Sequence, residues 1–200
     1  MGLSIHYSGR FNEKASLPEM IEELKDIAEL YKWHYTIYKT KFPCDALGKG
    51  NYNNSIYGIS FTPPECETIS LCFLSNGRMS CPANLQFFGK KENQNEDAFL
   101  YLVFAKTQFA GIETHKIIIH LLKYLSNKYL LDFKLVDEGK YWETEDDILL
   151  AEKFKQYNQL IDQFSFGLEH FPINKNESIE DYLMRLFKKI REDNNKKRIN

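Results

Sequence analysis

No run of apolar residues in this 200-residue chain approaches the roughly 18 that a membrane-spanning helix requires, so no bilayer span is expected. An excess of one charge is missing too. Lys and Arg number 26 against 28 Asp and Glu, a formal net charge of −2. A general nucleic-acid binder needs a concentrated basic face, so no nucleic-acid partner is expected. The basic residues near the end (Lys188, Lys189, Arg191, Lys196, Lys197, Arg198) are interrupted by Glu192 and Asp193, and read as a solvated, fraying helix end.

Cysteine is sparse. Cys44, Cys66, Cys72 and Cys81 form no C-x-x-C pair, and no histidine follows at zinc-knuckle spacing. Free thiols in a reducing cytoplasm are the simplest reading. The opening Met1-Gly-Leu-Ser-Ile-His6 has neither a basic start nor an apolar signal core, and His6 stands where a myristoylation site needs Ser or Thr. A glycine-rich phosphate loop, a G-x-S-x-G elbow and a zinc-protease motif are all lacking, which leaves few common enzyme classes. No cofactor is expected.

What is present suits one globular domain. Apolar residues make up 43% of the chain and charged residues 27%. Fifteen Phe and twelve Tyr supply large burial per residue. Leu3, Ile5 and Tyr7 alternate with polar residues and predict a strand. Ser16-Leu-Pro-Glu19 is a capping box with Pro18 in the first turn. Behind it, Leu17, Met20, Ile21, Leu24, Ile27, Ala28 and Tyr31 form a helical stripe. Strands follow at Trp33, Tyr35 and Ile37, at Tyr57, Ile59 and Phe61, and at Ile69, Leu71 and Phe73, with residues 44–55 a loop between the first two. Asn76-Gly77 is a hairpin turn whose short return strand is residues 78–81. Residues 89–97 are polar and read as an exposed loop. Residues 98–105 are apolar on both faces and predict a central strand covered on two sides.

A helix over 112–129 leads to a strand at Leu131, Phe133 and Leu135. Thr144, with Asp147 three residues on, is expected to cap a third helix, and Ser178 with Asp181 a fourth. The whole predicts an α+β fold: one mixed, mainly antiparallel sheet with two β-α-β units, helices on one face, and a C-terminal helical pair covering part of the other. Residues 1–143 form the sheet part, and 144–200 the helices packed on the same domain.

This topology indicates where chemistry can sit. Strands at 98–105 and 131–136, joined by one helix, run parallel and finish at one sheet edge. Residues 106–115 and 137–143 then meet there, as ligand sites in open sheets do. The candidates are Thr107, Gln108, His115, Asp137, Glu138, Tyr141, Trp142 and Glu143. Asp137 and Glu138 can act as an acid–base pair or simply form a turn. Glu145, Asp146 and Asp147 are accounted for by a helix N-terminus, where the macrodipole favours acids. Tyr141-Trp142 is either anchored inward or offered to a partner; large aromatics favour the inward reading. His115 has no second histidine at zinc-protease spacing, and His120 points elsewhere on the helix. Cys66, between Glu65 and Glu67, has no nearby base to activate it.

Four segments together are similar to an uncharacterised bacterial protein family without established activity: Gly2-Leu-Ser-Ile-His-Tyr-Ser-Gly9, Thr107-Gln-Phe-Ala-Gly111 followed by His115, Lys123-Tyr-Leu-Ser-Asn-Lys-Tyr129, and Asp137-Glu-Gly-Lys-Tyr-Trp-Glu143. The resemblance covers residues 2–150 and implies a bacterial cytosolic origin, with no substrate. Two functions remain in view. One is a non-enzymatic binding, interaction or regulatory protein with a protein partner. The other is a metal-assisted hydrolase using Asp137, Glu138 and His115, with Glu143 beside them.

Overall fold

The computed structural model describes residues 2–89 and 97–197. Most of the expected loop at 89–97 therefore lies outside the described residues, as do Arg198 and the two residues after it. The α+β class holds. Its strands form two three-stranded antiparallel sheets. In the first, β1 (Ser4–Phe11) lies between β5 (Val103–Lys106) and β6 (Leu130–Asp137); in the second, β3 (Tyr57–Thr62) lies between β2 (His34–Ile37) and β4 (Ile69–Phe73). No helix among the described residues is long and apolar enough to cross a membrane.

Local chemistry explains the main elements. Helix α1 (Leu17–Leu30) starts where the Ser16 side chain accepts the Glu19 N–H, with Pro18 in the first turn. Its stripe of Leu17, Met20, Ile21, Leu24 and Ala28 is buried. The Asn76-Gly77 turn is present. Gly77 takes φ +81°, Leu74 N–H donates to Arg78 O at 2.9 Å, and Met79 pairs with Phe73. That return segment joins the two sheets. Met79 N–H donates to Gly9 O at 2.9 Å, and Phe11 N–H to Gly77 O at 2.7 Å. Tyr7 makes the second link. Its hydroxyl donates to Ser70 O at 3.2 Å and accepts from Ser70 N–H at 2.9 Å, so a side chain satisfies the free edge of β4. Burial drives the Tyr7 hydroxyl pKa far up, so it stays protonated and can bridge both groups.

Three expectations need correction, and one helix went unpredicted. The apolar stretch 98–105 is not one central strand. It divides into a helical turn, α3 (Asp97–Leu100), and the edge strand β5. Its apolarity on both faces reflects an uncovered outer face: Phe104 is 56% exposed. The single sheet is two sheets, because β1 and β2, joined by α1, enter different sheets. Helix α2 (Pro82–Phe88) was not foreseen. Thr144 does not cap the long helix. It ends the short turn α5 (Tyr141–Thr144), donating to Lys140 O, and Asp146 caps α6 (Asp147–His170) by accepting from Ile148 and Leu149 N–H.

The second strand–helix–strand unit holds. Helix α4 (Gly111–Tyr129) carries β5 to β6, which run parallel because both are antiparallel to β1 between them. Leu150 and Phe154 of α6 join the core shared by α1, α4 and both sheets. Helix α7 (Ile179–Lys197) packs on α6, and Ser178 caps it by accepting from Asp181 N–H at 3.1 Å. The C-terminal pair thus packs on α4, and no described element covers the far face of the first sheet.

Candidate functional site

The ends of β5 and β6 meet where the topology placed them. Just past β5, Thr107 Oγ1 lies 2.8 Å from His115 Nδ1 on the second turn of α4. His115 Nε2 lies 3.3 Å from the carboxylate of Asp137, the last residue of β6. Thr107, His115 and Asp137 are each 0% exposed. A carboxylate only accepts, so Nε2 carries the proton and donates it to Asp137.

Asp137 is the hub. Its oxygens also accept Gly139 N–H and Tyr141 N–H at 2.7 Å each, and Trp142 N–H at 3.0 Å. Burial alone would push this carboxyl up. The His115 hydrogen bond and charge, with the Trp142 and Gly139 amides, outweigh burial and hold its pKa below the usual range. Sequence reasoning missed the part played by Gly139. A Cβ there would lie 3.0 Å from His115 Nε2 and 3.1 Å from Asp137 Oδ1, so a side chain at this position would crowd the pair. The Asp-Glu-Gly string announced only a turn.

The other candidates tie the same corner together. Gln108 Oε1 accepts Leu3 N–H at 2.9 Å, and its Nε2 donates to Asn158 of α6 at 2.6 Å. Glu138 Oε2 accepts Ser4 N–H at 2.8 Å. Tyr141 is buried, and half-buried Trp142 packs its ring against Phe133 with centroids 5.7 Å apart, the inward reading. Glu143 is exposed, 4.0 Å from Lys140. The remaining acids do not converge. Glu145 pairs with Lys123, Asp147 with Lys116 at 2.9 Å, and Asp146 caps α6.

A hydroxyl, an imidazole and a carboxylate in series are the parts of an activated nucleophile. Here no substrate can reach the hydroxyl. Every oxygen of the carboxylate is committed to the corner's own backbone, and the chain Thr107–His115–Asp137 fastens β5, α4 and β6 to one another. Among the described residues no group of three His, Cys, Asp or Glu side chains is placed to hold a metal ion. Cys66 is half-buried, and burial with the adjacent Glu67 charge pushes its thiol up to about 12, so it is inert at neutral pH. No family model matches this sequence, and neither the curated proteins nor the solved structures contain a match to it.

Proposed function

We propose that this chain is a non-enzymatic binding or regulatory protein that acts through a protein partner in a bacterial cytoplasm. The observation that carries this reading is the sealed state of its best-assembled polar centre. Catalysis needs a group open to substrate, and Thr107, His115 and Asp137 are all closed off. The metal-assisted alternative gains no support, because Glu138 is spent on Ser4 N–H and Glu143 stands apart in solvent.

The partner surface in this reading is the outer face of the first sheet. His6 is opposite Phe104 on one side and Val136 on the other, making one cross-strand row. Phe104 and Val136 are 56% and 58% exposed. Large apolar side chains aligned on an uncovered sheet face mark a contact surface. Phe104→Ser combined with Val136→Ser should shift stability by no more than about 0.5 kcal/mol, as exposed substitutions do. The same double variant, used as bait beside the wild type, should lose the proteins that the wild type retains. Equal retention by both baits removes this face from the proposal. A metal-dependent rise in melting temperature that is lost in both Asp137→Asn and His115→Ala would replace the whole reading with the hydrolase one.

A further inference from the structure

A mainly apolar concavity with a few polar groups lies away from the fastened corner. It has a volume of about 440 Å³, within the range of small-molecule sites, and is bounded by β3, β4, β5 and the start of α2. Strand alternation builds its floor. Ile59, Phe61, Ile69 and Leu71 enter the core, so Ser60 and Ser70, paired across β3 and β4, face the other way into the cavity.

These groups have hydrogen-bonding capacity that the fold leaves unused. Ser70 is only 5% exposed, its backbone is taken by Tyr7, and its hydroxyl has no partner among the described residues. Asn84 is 8% exposed. Its Nδ2 donates to Leu102 O at 2.9 Å and Leu100 O at 3.5 Å, while its Oδ1 accepts from no described residue. Ser60 Oγ has one long contact, 3.4 Å to the Tyr38 hydroxyl. Neither Ser70 Oγ nor Asn84 Oδ1 is a sealed, unbonded atom, so both are open to bond a molecule that enters the cavity. The half-buried Cys81 lines the same space.

The lining also selects a ligand class. Among the described residues neither Lys nor Arg lines the cavity, so none of them offers an anion a countercharge. Among the described lining residues Glu67 is the one that is charged, and its Oε2 is engaged by Lys106 N–H at 2.8 Å. Hydroxyls donate and accept alike, and their complement is a molecule whose groups do both. Val103 and Phe104 supply an apolar wall for its C–H face. We propose that the cavity over Ser60, Ser70 and Asn84, with Cys81 at its side, binds a neutral polyhydroxylated molecule of monosaccharide size. The site borders the partner face at Phe104, which lines its rim, and shares no residue with the Asp137 corner.

The test uses Cys81 as a built-in reporter. The full chain is alkylated with N-ethylmaleimide and the labelling of each cysteine is followed by peptide mass spectrometry. It is run alone and with millimolar glucose, mannose, galactose or ribose, and melting temperature is read in parallel. At least one sugar should slow Cys81 labelling several-fold, leave exposed Cys44 unaffected, and raise the melting temperature. Ser70→Ala removes a hydroxyl that bonds nothing, so this variant should fold and melt as wild type while its affinity for that sugar falls about tenfold, the loss of one hydrogen bond. The proposal is overturned if no sugar changes either readout, if Ser70→Ala binds as the wild type does, or if ribose 5-phosphate binds more tightly than ribose.

Discussion

Replacing Asp137 with Ala should destabilise the protein by about 3–5 kcal/mol, because several buried donors lose their acceptor at about 1–3 kcal/mol each. In a chain of this size that lowers the melting temperature by roughly 10 °C. Three backbone N–H groups and the His115 ring would lose their common acceptor inside the fold. Urea denaturation measures the loss directly. The sign of the effect carries the meaning. Residues kept for catalysis are commonly strained, and removing them leaves stability unchanged or raises it. A structural fastening can only lose.

The same carboxylate sets an acid limit. Its pKa is lower in the folded protein than in the unfolded chain. Its stabilising contribution is therefore complete above the unfolded value of about 3.9, and disappears as pH falls through the lower folded value. Wild type should lose stability steeply below pH about 4. Asp137→Ala should show a shallower fall over that window, lacking one linked proton.

The other large effect is expected at Gly58 in β3, opposite Cys72 of β4. Its φ is +117°, where side chains are strained, and a Cβ there would sit 2.3 Å from Leu71 O. That obstacle is backbone in the paired strand and cannot turn aside. Gly58→Ala should cost at least about 3 kcal/mol, combining backbone strain with a forced separation of two buried strands. Gly50→Ala is the matched control. Nothing lies within 4 Å of its Cβ position, and its stability should stay within about 0.5 kcal/mol of wild type. Thermal melts of the pair give the comparison.

Where local chemistry decides structure, the residues announced it. Ser16 and Pro18 set the start of α1, Asn76-Gly77 made its turn, and Ser178 capped α7. The corner was legible for a different reason. One helix between two strands fixes their relative direction, and that alone carried Thr107 and His115 to Asp137, whichever strand lay between. The failures came where apolar residues face solvent. Residues 98–105 looked doubly covered because Phe99, Leu102 and Phe104 are large and apolar, yet all three are exposed. Hydrophobicity records what a surface prefers, and a surface kept for a partner reads like a core. Helix α2 was hidden because Pro82 resembles a strand terminator, although Cys81 accepts the Asn84 N–H and Pro82 takes the first helical position. The cavity over Ser70 gave no signal, since it depends on two strands and a helix brought together from separate parts of the chain.

The most direct test of the structural role of the corner is native-state hydrogen exchange at the Gly139, Tyr141 and Trp142 amides, the three that donate to Asp137. A permanent fastening protects them as strongly as the amides of Ile5 and Tyr7 in β1, so that they exchange only on global unfolding. Rapid exchange at all three, with β1 still protected, would mean that the corner opens in the native protein and exposes the Thr107–His115–Asp137 series to substrate, contrary to this account.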